Sequence, residues 1–133
     1  MKGRILFVDE HMNPKQFLTL GGIVLVLVGA LGFIGVLGPT ADASIFGEAW
    51  WFDNAENWAH LVLGVVGLGV AMWGNGMLQK WVTILVGLFA LVATVSGFVS
   101  GPEFLTANLE SPADNILHLV VAVWALWSAK GSE

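Results

Sequence analysis

Three residues recur in this chain at one spacing, and they are the types that bind rather than hydrolyse. Asn57 and His60 stand three apart, and so do Asn115 and His118. Three-residue spacing stacks two side chains on one face of a helix. Glu56 and Asp114 precede the asparagines, which gives each histidine a carboxylate at i−4. Neutral imidazole is the commonest protein metal ligand. Two imidazoles on facing helices are expected to supply both axial positions of one haem, or to hold a pair of chlorophyll-type rings, with Asn57 and Asn115 orienting them. A bare metal ion is the second chemistry, with His60, His118, Glu56 and Asp114 as its ligands and zinc, iron or copper as the suited elements. The third reading needs no ligand. Asn and His then hydrogen-bond between helices, at about 0.6 to 2 kcal/mol per interhelical bond.

The carboxylates have a competing use. Asp53 to Glu56, and Ser111 to Asp114 with Pro112 in the first-turn slot, read as helix-opening capping boxes. Acids there also meet the positive end of the helix dipole. Beyond the histidines, on the same face, come Gly64 and Gly67 in one case and Ala122 and Ala125 in the other. Small residues mark faces along which membrane helices approach closely, so the stripe is expected to turn into a bundle, with helices two and four as equivalent partners and the imidazoles facing a shared interior.

Elements able to carry such stripes follow from composition. Of 133 residues, 56% are hydrophobic and 11% charged, which is far from the balance of water-soluble domains. A helix needs about 20 mostly apolar residues to cross the hydrocarbon core. Phe17 to Leu37 and Trp81 to Phe98 meet this directly. The stretches from about Ala55 to Trp73 and Ala113 to Ala129 meet it if their polar first turns lie at the interface. The expected fold is all-α, one integral membrane domain spanning 1–133, a four-helix bundle. Its helices satisfy their own backbone hydrogen bonds in lipid.

The five basic residues, Lys2, Arg4, Lys15, Lys80 and Lys130, fall in the two tails and the second connection. Acids fill the first and third connections: Asp42, Glu48, Asp53, Glu56, Glu103, Glu110 and Asp114. The positive-inside rule then expects both termini to be cytoplasmic and the acidic loops extracytoplasmic. The expected location, apart from that rule, is the cytoplasmic membrane of a bacterium or archaeon. Trp50, Trp51 and Trp58 would mark the outer interface, and Trp73, Trp81 and Trp127 the inner one. Ala41-Asp42-Ala43 resembles a signal-peptidase site, but the preceding apolar run exceeds the signal core of about 7 to 15 residues, so the first span is expected to be retained.

One constant offset lays Asp53, Ala55, Glu56, Asn57 and His60 on Ser111, Ala113, Asp114, Asn115 and His118, and Gly64 and Gly67 on Ala122 and Ala125. Gly32-Phe33 and Gly38-Pro39 likewise resemble Gly97-Phe98 and Gly101-Pro102 after a gap. Two duplicated helical hairpins, about 17–73 and 78–129, are the expectation, related by an axis along the membrane normal.

Other chemistries find little support. Cysteine is absent, which removes disulfides, thiolate ligands and a cysteine nucleophile. A net charge of −5 supplies no basic patch for nucleic acid. His11 lacks a spaced partner. Gly21, Gly22, Gly29, Gly32 and Gly35 form no phosphate loop and suit close helix packing instead. No hydroxyl has the surroundings of a nucleophile, so an enzyme is not expected. Mid-span charge is lacking, which speaks against a proton relay.

The run Asn57-Trp58-Ala59-His60-Leu61-Val62-Leu63-Gly64-Val65-Val66-Gly67, with its echo at Asn115 to Leu119, resembles an uncharacterised bacterial family of small four-span proteins carrying an N-x-x-H-L-x-x-G-x-x-G motif. The similarity covers most of the chain from about Phe17 onward, although Ala122 and Ala125 replace both glycines in the second copy. It implies fold and membrane location rather than an activity. The intramembrane histidines with nearby tryptophan are also similar to those of bacterial antenna polypeptides that hold bacteriochlorophyll. The expected function is a non-enzymatic membrane subunit binding a tetrapyrrole or metal through His60 and His118. The alternative is a structural or assembly subunit without cofactor. Expected partners are the lipid bilayer, and other membrane subunits or a second copy.

Overall fold

The computed structural model describes residues 12–99, 103–104, 107–108 and 113–131. Four helices account for most of them: α1 (Pro14–Phe33), α2 (Asn54–Trp73), α3 (Gly76–Val99) and α4 (Ala113–Ala129). The first three, of 20, 20 and 24 residues, are long and apolar enough to cross a membrane, as an integral membrane protein requires. α4 is apolar but shorter, at 17 residues. A two-residue antiparallel pair, β1 (Glu103–Phe104) with β2 (Ala107–Asn108), stands in the third connection, an element the apolar periodicity had not signalled.

Helix starts are set by local chemistry. Asn13 caps α1: its side chain accepts from Gln16 N at 2.8 Å while Asn13 N donates to Gln16 Oε1 at 2.9 Å, with Pro14 in the first turn. That box begins the helix three residues before the expected Phe17. The helix also ends earlier than the expected Leu37, because Gly35 takes φ +92 and turns the chain back, so that Leu37 N bonds Leu31 O at 3.0 Å. The Asp53–Glu56 box forms as read, at 2.9 and 3.2 Å. Asn75 Oδ1 accepts from Leu78 N at 2.8 Å and starts α3 five residues before the expected Trp81. Ser111, Pro112, Gly101, Pro102, His11, Lys2 and Arg4 lie outside the described residues.

Within each hairpin the helices touch closely, and the hairpins pack more loosely on each other. Glycine makes the α1–α2 seam possible. A Cβ on Gly22 would sit 3.0 Å from Gly64 O, one on Gly29 3.0 Å from Asn57 O, and one on Gly64 2.8 Å from Gly22 O, so backbone meets backbone. In the second hairpin a Cβ on Gly87 would meet Leu126 at 3.0 Å and Ala125 at 3.1 Å. The buried residues Glu56, Asn57, Gly64, Gly67 and Ala71 of α2 correspond, under the offset seen in the sequence, to the buried residues Asp114, Asn115, Ala122, Ala125 and Ala129 of α4.

The small-residue stripes are thus buried as expected, but their close neighbours differ. Gly64 and Gly67 lie against α1, and Ala125 against α3, rather than α2 against α4. Sequence-adjacent antiparallel helices take the closest approach because their own glycines and alanines interlock.

Where the hairpins meet, Phe17, Leu18, Ala71 and Ala125 form a core with Val82, Val86, Val121 and Trp124 packed on it. Phe17 and Trp124 stand edge to face at 4.6 Å, and Trp124 Nε1 donates to Met12 Sδ at 2.9 Å. This brings the start of α1 beside the end of α4. Lys15, Lys80 and Lys130 therefore gather at one end of the bundle, and Asp42, Glu48, Asp53, Glu56 and Asp114 at the other.

At the lysine end, buried polar groups divide into two kinds. Gln79 Nε2 faces Val70 O at 3.3 Å, Ala71 O at 3.1 Å and Gly74 O at 3.1 Å, closing the carbonyl end of α2. Thr83 and Ser128 are wholly buried, yet their hydroxyls find no hydrogen-bond partner among the described residues. Substitutions should separate the two. Gln79→Leu is expected to cost about 1 to 3 kcal/mol in reversible unfolding in detergent, because buried carbonyls lose their donor. Thr83→Val, nearly isosteric, is expected to be neutral or stabilising in the same assay, since it removes a hydroxyl that has no bond to lose.

Candidate functional site

The first turns of α2 and α4 meet the first connection at the acidic end, and the candidate residues collect there. Asp53 and Glu56 are engaged in the capping box, and Glu56 is buried. Asp114, also buried, accepts a hydrogen bond from Trp50 Nε1 at 2.9 Å. That bond joins the first connection to α4, across the two hairpins. The sequence marks tryptophan at this position only as an interfacial residue. Its second role as a donor was not legible, because the partner lies 64 residues away.

Asn57 and Asn115 are fully buried, at 0% exposure. Asn57 Nδ2 faces Phe52 O at 3.4 Å. Its Oδ1 lies against the Cα of Gly32, where any Cβ would overlap it, and finds no N–H or O–H donor. Asn115 Oδ1 lies in the same way against Gly97. The backbone oxygen of Asn115 accepts from Thr94 Oγ1 at 3.5 Å. A Cα–H facing an oxygen is a weak contact, worth about 0.5 to 1 kcal/mol, but it recurs where helices cross closely. The bonds seen for Asn57 therefore run to its own hairpin and not to His60. Pairing of Gly32 with Asn57, and of Gly97 with Asn115, was missed in the sequence, although the repeat had set Gly32-Phe33 beside Gly97-Phe98.

His60 and His118 are half-buried. The His60 ring stands edge to face with Phe52 at 5.1 Å. Asp114 is the polar neighbour of His118. Nδ1 of each histidine is buried, and that of His60 has no hydrogen-bond partner, whereas the His118 ring lies within hydrogen-bonding reach of the Asp114 backbone one turn earlier. Among the described residues no group of three or more His, Asp and Glu stands close enough to hold a metal ion. His60 and His118 thus stand at the same level of α2 and α4, while Glu56 serves the start of α2 and Asp114 the loop contact.

Trp50→Phe should show what the loop contact contributes. Removing a bond to a buried carboxylate is expected to destabilise the fold by about 1.5 to 3 kcal/mol. Unfolding in detergent would measure this, with Trp51→Phe as the comparison that leaves the Asp114 bond in place.

No family model matches the chain, and comparison with curated proteins and with solved structures finds no match. The class defined by the fold is accordingly a helical protein, three of whose helices suit a membrane, with buried polar residues of α2 and α4 at its acidic end.

Proposed function

We propose that this chain is a small non-enzymatic membrane subunit, built of two duplicated helical hairpins, that binds a tetrapyrrole of haem or chlorophyll type, or a metal ion, through His60 and His118. Both termini are cytoplasmic, and the acidic end with the site is extracytoplasmic, in line with the segregation of lysines from carboxylates. The observation that carries the reading is that both Nδ1 atoms are buried at the same end of the bundle and that of His60 has no hydrogen-bond partner. Buried polar atoms are nearly always bonded, and an orphaned imidazole nitrogen in the same layer as a second buried one fits a group that takes lone pairs. Such a group, when bound, would supply light absorption or electron transfer, or a metal's Lewis acidity; the chain supplies imidazoles and a dry surround.

A second reading has its own support. The Asn57–Gly32 and Asn115–Gly97 contacts and the Trp50–Asp114 bond are packing devices, and a structural or assembly subunit of a larger membrane complex, or a homodimer, needs no more than these. Purification from native membranes in mild detergent, followed by an absorbance spectrum and elemental analysis, separates the two. A Soret or far-red band, or a stoichiometric metal, is expected. A colourless, metal-free and folded protein would leave the structural reading.

A further inference from the structure

The connection between α1 and α2 is folded rather than loose. Ile45 N donates to Val36 O at 2.8 Å, Phe52 N to Leu37 O at 2.7 Å, and Ser44 Oγ to Trp50 O at 2.7 Å. Leu37, Ser44 and Phe52 are buried beneath it. Despite that order, the connection turns apolar side chains outward: Ile34 is 70% exposed, Ile45 69% and Phe46 52%. An exposed isoleucine is ordinary singly; a contiguous group is not. The Ile45 to Val36 bond lays the 45–46 segment beside the stretch that follows α1.

These residues also continue an existing surface. Along α1 the exposed positions Leu20, Ile23, Val24, Leu27 and Ala30 recur at helical spacing, and Ile34 is the next in the series. That stripe is the face α1 turns away from the rest of the chain, toward lipid on the membrane reading. The Ile45 to Val36 bond sets the exposed Ile45 and Phe46 beside the residues that follow Ile34 past the helix end, while the exposed Asp42 and Glu48 flank them in sequence.

We infer that the α1–α2 connection is a lipid-seated cap, whose Ile34, Ile45 and Phe46 enter the headgroup and upper acyl region of the leaflet at the acidic end. Its occupant is lipid, because the patch is continuous with the outward stripe of α1 and is edged by carboxylates suited to water. Apolar groups at such a boundary typically reach about 5 to 10 Å into it. The cap also carries Trp50, so lipid seating would hold the loop that reaches Asp114. This inference rests on the membrane reading but not on ligand binding by the histidines.

The absence of cysteine makes a direct test simple, since each introduced thiol is the sole label site. The full chain is reconstituted in phosphatidylcholine vesicles with an environment-sensitive fluorophore at Ile45→Cys, Asp42→Cys or Leu27→Cys. Quenching by lipids carrying a nitroxide high in the acyl chain, and by aqueous iodide, is compared. The label at 45 is expected to be quenched several-fold more by the lipid nitroxide than the label at 42, and to resist iodide. A label at 45 that iodide reaches as readily as the one at 42 overturns the proposal. So does one shielded from both quenchers, which would assign the patch to a second copy of the chain. If the label at 27 also escapes the lipid nitroxide, the membrane reading itself fails.

Discussion

Gly32→Ala is expected to destabilise the fold by about 3 kcal/mol or more, close to the upper limit for overpacking, because the new methyl would occupy the place of Asn57 Oδ1. Relief by movement is limited on both sides. Asn57 is fully buried and its amide nitrogen faces Phe52 O, while Gly29, one turn earlier on α1, lies 3.0 Å, by its would-be Cβ, from the α2 backbone. Gly97→Ala should behave alike against Asn115. Gly21→Ala gives the contrast: its Cβ would meet Phe17 at an ordinary 3.9 Å, so the better helix propensity of alanine, about 1 kcal/mol, is expected to prevail. Reversible unfolding in detergent measures all three. The pairing is tested further by a cycle with Asn57→Ala. If Asn57 Oδ1 is what excludes the methyl, the double variant should be about 0.5 to 3 kcal/mol more stable than the two single losses together predict. Strict additivity would show that Gly32 matters for another reason.

How far the residues announced this arrangement depends on the range of each interaction. The span positions, the Asp53–Glu56 cap and the matching faces of α2 and α4 were legible, since each is set by neighbours within a few positions. The α1 boundaries shifted because an Asn13–Gln16 capping box and the left-handed Gly35 act at single residues that an apolar window averages away. The site was half legible. Spacing marks Asn57 and Asn115, but leaves their use open between orienting imidazole and bonding between helices two and four. The glycine facing each asparagine lies on the preceding helix, and no periodicity within one helix reports it. The ordered α1–α2 connection was not foreseen either, because its bonds, such as Phe52 N to Leu37 O, join loop residues with no repeating pattern.

His60→Leu and His118→Leu carry the other large expected effect, which falls on binding and not on stability. His60 places a buried Nδ1 where no donor or acceptor meets it, so leucine removes a desolvated polar atom and the ligand-free fold is expected to hold or gain stability. His118 has the Asp114 backbone within hydrogen-bonding reach, so His118→Leu is expected to cost about 0.5 to 1.5 kcal/mol. Binding should fall in both. Loss of a partner that merely orients a ligand residue typically weakens metal affinity about 10- to 100-fold, and loss of a ligand itself is expected to exceed that. Each single variant should then lose most of the bound group, and the double variant all of it. Absorbance, metal content and unfolding recorded on one preparation keep the two effects apart. Variants that lose the group while remaining folded would support ligation by the pair. Variants that retain it would place the ligand elsewhere, and variants that unfold would return the histidines to the packing role that Asn57 and Asn115 already fill beside them.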